Sequence, residues 1–335
     1  MKEAIVDSGP VVKIIESPIP KPNDDQVVIK VAVSGSNPKD WKVPEWMPDK
    51  VLNGGDDIAG TVHEVGANVT EFKPGDRVMA FHEMNKPGGS YAEYAVAWAH
   101  TTAHIPKTTT FEEAAAIPLA ALTAACGLYT KLGLAQPWGV PADAPTPPLV
   151  IYGAASAVGI YVVQLALRAN IHPLICIAGN SQEHVKSFID PAKGDAVIDY
   201  RDGDDAVVEG IKKAAKGAKL LHAFDAVSEK GSYVNLGNAL ADGATITTVL
   251  PGNKDEVRSG VNVNITMVGS VHENEKDLGF VYMRYFAKGL QDGWFKAQPQ
   301  EVVPGGLGGV QTGLENLKAG RAKAVKYVFR IAETK

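Results

Sequence analysis

The chain has 335 residues, of which 45% are hydrophobic and 21% are charged, so its composition is globular and its length predicts two domains. The net charge of −5 gives no positive field for nucleic acid or an anionic membrane surface, and we expect neither as a partner. Two cysteines, Cys126 and Cys176, are too few for a four-cysteine zinc site, and no apolar run reaches the length of a membrane span. The first residues also lack the apolar core of a signal peptide, so we expect a cytoplasmic protein.

The first 110 residues or so are predicted to form β structure. Short strand-like runs at 27–33, 61–65, 77–80 and 91–96 are separated by turn clusters rich in Pro, Gly and Asp. This spacing predicts a small barrel or sandwich. Thr110 with Glu113 three residues later is a capping-box pattern, which predicts a helix that continues to about residue 130 with a break at Pro118.

After a proline-rich loop at 136–148, strands and helices alternate. Strands are predicted at 149–152, 173–177, 196–199, 220–226, 244–249 and 265–268. Unbroken apolar strands in this order predict a parallel sheet that helices cover on both faces. A further helix is predicted at 275–295, with Phe280, Met283, Phe286, Ala287 and Leu290 on one face, and a last strand at 326–331.

The stretch 149–167 has the pattern of a dinucleotide site. A short apolar strand passes through a turn of small residues into a helix, with Gly153 and Gly159 at two of the three fingerprint positions and Ser156 at the middle one. Small residues let a diphosphate approach the backbone, and the first amides of the helix then face the anion. The alternative is an ordinary strand-to-helix turn of an α/β protein.

The end of the second strand bears on the choice of nucleotide. An acid at this point would bind the ribose 2′-hydroxyl of NAD, but Gly179, Asn180 and Ser181 follow the strand and the first acid is Glu183. The small polar turn leaves room for a 2′-phosphate, which favours NADP. Alternatively, Asn180 and Ser181 only cap the next helix.

Other polar segments point to no metal and no hydrolytic site. Residues 33–42 are dense in hydrogen-bonding groups and can equally be an Asx-type turn. Asp56 and Asp57 are adjacent, so their side chains do not converge, and no His or Cys stands at ligand spacing. His63 lies in a predicted strand and is expected to be structural or exposed, and the other histidines lack a Ser or Cys nucleophile.

Taken together, three motifs resemble the catalytic domain of medium-chain dehydrogenases/reductases. They lie at 55–62, 72–78 and 89–94, and the helix from Phe111 and the turn at Gly153 follow in the same order. Zinc alcohol dehydrogenases of this superfamily have Gly-His-Glu where this chain has Gly55-Asp56-Asp57. Instead, 37–40 is similar to the Asn-Pro-x-Asp motif of zinc-free, quinone-oxidoreductase-like members. Residues 41–42 and the proline-rich loop look most like fungal members, including free-standing enoyl reductases that act with polyketide synthases.

The resemblance implies an α/β fold with two domains and a site in the cleft between them. A GroES-like β-barrel catalytic domain would contain residues 1–122 and 272–335, and a Rossmann domain with a doubly wound parallel sheet would contain 123–271. The implied reaction is the NADPH-dependent reduction of the C=C bond of an enone, or of a quinone, without zinc. A first alternative is a trans-acting enoyl reductase whose acyl thioester is carried by a synthase partner. A protein that binds NADPH without catalysis is the second.

The resemblance also implies individual site residues. Asn37 would lie beside the nicotinamide and the substrate, Lys42 would contact the substrate or its enolate, and Tyr129 would form a wall of the site. Further residues implied at the cofactor are Pro38, Ala155, Ser156, Ala157, Val158, Gly179, Asn180, Ser181, His184, Tyr200, Val249, Leu250, Gly269 and Ser270, with Lys323 or Lys326 approaching from the C-terminal segment. Separately from the resemblance, the residue pattern predicts an edge strand at 261–265 that could pair across a homodimer, although monomers also have edge strands.

Overall fold

The computed structural model describes residues 1–139, 147–252 and 254–335, so most of the proline-rich loop predicted at 136–148 lies outside the described residues. The chain divides into two compact units. The first contains residues 1–119 and 269–335, and the second contains residues 120–268. The sequence predicts these junctions at 122–123 and 271–272.

The elements are numbered along the chain. The strands are β1 (Lys2–Asp7), β2 (Val11–Glu16), β3 (Gln26–Gly35), β4 (Asp57–Val65), β5 (Arg77–Phe81), β6 (Tyr94–Trp98), β7 (Thr102–His104), β8 (Leu149–Tyr152), β9 (Leu174–Ala178), β10 (Ala196–Asp199), β11 (His222–Asp225), β12 (Thr245–Thr248), β13 (Asn262–Ile265), β14 (Gln300–Val302) and β15 (Lys326–Arg330). The α-helices are α1 (Lys39–Trp46), α2 (Phe111–Ala115), α3 (Pro118–Ala125), α4 (Ala157–Arg168), α5 (Gln182–Lys186), α6 (Asp204–Ala214), α7 (Ser232–Ala239), α8 (Lys276–Asp292) and α9 (Val310–Lys318). A π-helical segment, Cys126–Lys131, continues α3.

The first unit is organised around strand β3. The largest sheet of this unit has the order β14-β15-β3-β4-β5-β7. Adjacent strands in this order pair antiparallel, except that β14 and β15 are parallel. β3 is ten residues long and has two partners on one side: β6 pairs with residues 26–30 and β15 with residues 33–35. The C-terminal strand β15 therefore reaches the end of β3, where the polar segment 36–42 begins.

The second unit contains a fully parallel sheet. Its order is β10-β9-β8-β11-β12-β13, which is the order 3-2-1-4-5-6 in the strands of this unit. In such a sheet, crossovers in opposite directions from the central strand put helices on both faces. The strand order reverses between β8 and β11, since β9 and β10 lie on one side of β8 and β11 to β13 lie on the other. Ligands of doubly wound sheets bind at the carboxyl ends of the strands at such a switch point.

Helix α4 is the central helix of this unit, and its sequence explains why. Residues 159–166 are all buried, and apart from Gln164 and the Tyr161 hydroxyl their side chains are apolar, so this stretch of the helix is enclosed on every side. Capping also behaves as predicted at α2, where the Thr110 hydroxyl accepts a hydrogen bond from the Glu113 amide at 3.1 Å and the Glu113 carboxylate accepts one from the Thr110 amide at 2.8 Å.

Two sequence-based predictions about local structure are wrong, and one pair of strands has no counterpart among the predictions. The strand predicted at 265–268 does not form, because Met267 is 55% exposed and Val268 begins a short 3₁₀ helix, whereas the edge strand predicted at 261–265 corresponds to β13, which pairs with β12. Phe280 does not lie on the buried face of α8, since it is 45% exposed. The paired strands β1 and β2 were not predicted, because exposed apolar residues such as Ile14 hide the usual alternation.

No helix within the described residues is both long and apolar enough to cross a membrane.

Candidate active site

The turn between β8 and α4 has the geometry that a diphosphate needs. Gly153 has φ of +73°, a conformation that favours glycine, and its amide donates to the Ile177 carbonyl at 3.0 Å. A Cβ atom on Gly159 would lie 2.2 Å from the Gly153 carbonyl oxygen, so only glycine lets the helix pack this closely on the turn. The first amides of α4 then point out of the helix end toward an anion.

Ser156 is the N-cap of α4 and not a defect in the glycine pattern. Its Oγ accepts a hydrogen bond from the Gly159 amide at 3.0 Å, which satisfies one of the amides at the start of the helix. The hydroxyl hydrogen is not used by this bond. Ala157 and Val158 follow as the first two residues of the helix, and with Ala155 they complete the predicted diphosphate turn.

At the ends of the next two strands, the structure brings together residues that the sequence predicts at the 2′-phosphate. Gly179 follows β9, and a Cβ atom there would lie 2.6 Å from the ring of Tyr200, which follows β10. Arg201, which was not among the predicted site residues, donates from Nη1 to the Asn180 Oδ1. The Ser181 side chain makes no capping hydrogen bond to α5 within the described part of the chain, so the helix-capping alternative is not what this serine does.

Arg201 is a cation at the surface beside Asn180. Its Nε also donates to the Asp199 carboxylate at 2.8 Å, and hydrogen bonds from Arg201 lower the pKa of Asp199 to about 2. The Asp199 carboxylate at the end of β10 is therefore already paired with the Arg201 guanidinium. The signal was present in the sequence, because 199–201 reads Asp-Tyr-Arg directly after a predicted strand.

In the first unit, Asn37 lies between a carboxylate and an ammonium group. We call this set the Asn37 cluster, and it consists of Asn37, Asp57 and Lys326. The Asn37 Nδ2 donates to the Asp57 Oδ2 at 2.8 Å, and the Lys326 Nζ donates at 2.7 Å both to the Asn37 Oδ1 and to the Asp57 Oδ2. The Asp57 Oδ1 accepts from the Leu119 amide at 2.7 Å. All three residues of the cluster are at least 97% buried.

A second buried set of charges, the Lys39 cluster, contains Lys39, Asp40, Asp56, His82 and Tyr91. Lys39 pairs with Asp56 and, at 3.0 Å, with the Asp40 Oδ1. His82 Nδ1 lies 2.9 Å from the Asp56 Oδ1, and the Tyr91 hydroxyl donates to the Asp40 Oδ2 at 2.5 Å. The Asp40 Oδ2 also accepts from the backbone amide of Asn37 at 2.7 Å, so the two clusters meet at this residue.

The charges of the Lys39 cluster shift one another. Burial alone would lower the pKa of Lys39, but the carboxylates of Asp56 and Asp40 outweigh it and raise that pKa. Burial would raise the pKa of Asp56, but Lys39 and His82 hold it below its ordinary value. For Asp40, burial is the larger effect and the pKa is raised. Lys39 and Asp56 are therefore an ion pair at neutral pH.

Lys42 lies in α1, and its ammonium group is close to two aromatic rings. Its Nζ is 5.3 Å from the ring centroid of Trp41 and 5.9 Å from that of Trp46, and the residue is 6% exposed. Both distances are in the range of cation–π contacts. Pro38, the N-cap of this helix, is exposed.

The remaining predicted residues fall in several places. Tyr129, which is buried, His184, Val249 and Leu250 belong to the second unit, and Val249 directly follows β12. The sequence predicts Gly269 and Ser270 at the end of a strand, but both lie in the 3₁₀ helix Val268–His272. Lys323 is exposed before β15, and the lysine that reaches Asn37 is Lys326.

Within the three described ranges, no group of three or more His, Cys, Asp or Glu side chains is arranged to hold a metal ion. His63 is exposed on β4, as expected for a surface residue.

Comparison with known proteins gives a consistent result along the chain. Residues 23–107 match the family model of the alcohol dehydrogenase GroES-like domain. A trans-enoyl reductase of Gibberella fujikuroi is 56% identical over 308 residues, which cover 91% of this chain and 91% of that protein. A chloroplast envelope quinone oxidoreductase homolog of Arabidopsis thaliana is 34% identical over 220 residues, which cover 64% of this chain and 61% of that protein.

The fold is shared with solved structures. An alcohol dehydrogenase superfamily protein from Novosphingobium aromaticivorans superimposes with a TM-score of 0.81, over 98% of this chain and 99% of that one, at 19% identity. This likeness concerns the fold alone. With the GroES-like match, it confirms the predicted fold class, a GroES-like β-domain combined with a Rossmann-type parallel sheet.

Proposed function

Because the chain belongs to the medium-chain dehydrogenase/reductase superfamily and is a homologue of fungal trans-enoyl reductases, we propose that it is a trans-acting enoyl reductase. In this proposal, it uses NADPH to reduce the C=C bond of an α,β-unsaturated acyl thioester that a biosynthetic synthase carries. The observation that carries the proposal is the 56% identity to such a reductase along nearly the whole chain. From the sequence, small enones and quinones are the first expectation for the acceptor, whereas this relative favours the thioester.

The turn at 153–159 fits a bound dinucleotide on structural grounds, since a side chain on Gly159 would fill the space where the strand and the helix meet. Ala157 and Val158 would bind the diphosphate through their amides, and the dipole of the twelve-residue helix α4 favours the same charge. Arg201 and Asn180 would bind the 2′-phosphate, because a guanidinium is well matched to phosphate geometry. These residues support NADPH over NADH.

When bound, NADPH supplies the hydride that adds to the β-carbon of the unsaturated thioester. The electron pair of the C=C bond then moves toward the carbonyl, whose oxygen becomes an enolate. Lys42 would stabilise this oxygen with its positive charge, which is already held against two rings and so needs little reorganisation. Asn37 would orient the reacting groups through its amide, and the α-carbon takes a proton from water.

A small enone or quinone is the second candidate acceptor, and the quinone oxidoreductase homolog of Arabidopsis thaliana supports it. The two proposals differ in the acceptor and share the hydride donor. Binding of NADPH without any reduction would be a third outcome, which corresponds to a protein that does no chemistry.

The test is a comparison of acceptors with the purified full chain. An enoyl N-acetylcysteamine thioester, a small quinone and a simple enone are each incubated with NADPH deuterated at C4. We expect deuterium at the β-carbon of the saturated thioester, and a much lower rate with the quinone. Turnover confined to the quinone would overturn the thioester proposal in favour of the second candidate. Tight NADPH binding with no reduced product from any acceptor would overturn both.

A further inference from the structure

The side chain of Asn37 is held at both ends by opposite charges. A carboxylate can only accept hydrogen bonds and an ammonium group can only donate them. The Asp57 carboxylate therefore fixes the amide nitrogen on its side, at 2.8 Å, and the Lys326 ammonium fixes the amide oxygen on the other side, at 2.7 Å. An amide is nearly symmetric in shape, so without these charges its two orientations would differ little in packing.

The three residues come together because their strands are neighbours. Asn37 follows β3, Asp57 begins β4 and Lys326 begins β15, and β3 lies between the other two in the sheet. The pairing register puts Gly35 opposite both Asp57 and Val328. The charges therefore sit on regular strands and not on loops, which gives the Asn37 amide a rigid support.

Stability alone gives a poor account of this buried pair. Removing two charges from water costs about as much as their attraction returns, so buried ion pairs contribute little net stability compared with apolar residues of similar size. Directional specificity is a better account. Among the described residues, the cluster uses one of the two Nδ2 hydrogens and one lone pair of Oδ1, which leaves the second of each for a ligand.

We infer that Lys326 and Asp57 are positioning residues that act through Asn37. They fix which end of the Asn37 amide is presented to the bound cofactor and acyl group, and the Lys326 ammonium polarises the amide so that its remaining N–H is a stronger donor. This inference rests on the proposed function, because it assumes that Asn37 touches the reacting groups.

The test separates positioning from folding with a charge-balanced double variant. Lys326→Met alone leaves the buried Asp57 carboxylate without its cation and is expected to destabilise the protein. Lys326→Met combined with Asp57→Asn removes both charges, so thermal stability should return close to the wild-type value. The wild-type orientation is no longer imposed in this double variant, since the Leu119 amide would hold the oxygen of an Asn side chain at position 57 and direct its NH2 group, a donor, toward Asn37.

We expect the double variant to keep a kcat that is roughly tenfold or more below wild type despite its recovered stability. In an Asn37→Ala background, the same two substitutions should change kcat by less than about twofold, because the group they position is gone. Lys30→Met, which changes an exposed lysine on β3, is the matched control. Recovery of kcat together with stability in the double variant would overturn the inference.

A spectroscopic measurement keeps the inference separate from the proposed function. The side-chain amide signals of Asn37 in a ¹H–¹⁵N spectrum are assigned by their loss in Asn37→Ala. We expect them to shift in the double variant and to stay in place in Lys30→Met. Unchanged signals would overturn the positioning role even if the enzyme reduces a thioester. A clear shift in a protein that reduces no acceptor would overturn the proposed function and leave the fixed orientation standing.

Discussion

Replacing Lys39 by methionine should destabilise the first unit strongly. The Nζ of Lys39 is the ion-pair partner of the Asp56 Oδ2 and the Asp40 Oδ1, and neither oxygen accepts a hydrogen bond within the described residues. The two carboxylates are 0–1% exposed. Breaking a buried pair by removing one partner costs about 3 to 5 kcal/mol, because the remaining carboxylate loses its cation without gaining water, and here Asp56 would keep only its contact with His82. For a unit of this size, that corresponds to a fall in Tm of roughly 6 to 20 °C.

The loss should depend on pH in a defined direction. Lys39 and its neighbours hold the pKa of Asp56 below its ordinary value, so the stabilisation from this carboxylate is present at neutral pH and is lost as the pH falls through the folded-state pKa. The pKa of Lys39 is raised, so its contribution is lost only in strong alkali. The difference in unfolding free energy between wild type and Lys39→Met should therefore be constant around neutral pH and shrink in acid.

The measurement is urea unfolding followed by tryptophan fluorescence, which reports mainly on the first unit because four of the five tryptophans are Trp41, Trp46, Trp98 and Trp294. Asp56→Asn is the companion variant. Lys39→Met should cost at least about 1 kcal/mol less in the Asp56→Asn background than in the wild type, since contacting residues are coupled. A total cost below about 1 kcal/mol, or an equal cost in both backgrounds, would refute the ion-pair argument.

Three further predictions concern the site. Lys42→Met should lower kcat/KM on an enoyl thioester, with a loss of about 2 to 4 kcal/mol of transition-state stabilisation and little change in Tm. The control Lys50→Met changes an exposed lysine and should leave kcat/KM unchanged, so equal kcat/KM values for the two variants would contradict the role of Lys42. Arg201→Ala should weaken binding of NADPH at least severalfold in a fluorescence titration and leave NADH unaffected, and an equal loss for both would count against a 2′-phosphate contact. Ser156→Ala should cost about 1 kcal/mol of unfolding free energy followed by circular dichroism, and Ser156→Thr should retain most of it; no loss in the alanine variant would show that the cap is dispensable.

Local signals in the sequence predict much of this molecule. The turn at Gly153 and the capping box at Thr110 involve residues within a few positions of each other, so their geometry follows from the residue types alone. The parallel sheet with helices on both faces is also predicted, because alternating βα units with apolar strands have few other ways to bury their faces. Such features depend on neighbours in the sequence.

The two charged clusters depend on distant residues, and the sequence does not reveal them. Lys326 contacts Asn37 across 289 positions, and although the family resemblance implies that Asn37 and either Lys323 or Lys326 lie near the cofactor, no local pattern predicts this hydrogen bond. Lys39 and Asp40 look like part of a solvated turn, since adjacent charges are usually exposed. Only the pairing of β3 with β4 and β15 shows that these charges are buried and meet one another.

The position of β15 has a consequence for the way the protein is made. The second unit is one continuous stretch, 120–268, and contains all of its own strands, so it can fold while the ribosome is still at work. The first unit is interrupted by it and needs residues 326–330 to complete the sheet beside β3. Asn37 therefore meets Lys326 only after 289 further residues have been added, and a nascent chain that has not yet reached β15 would have a complete second unit but an incomplete Asn37 cluster.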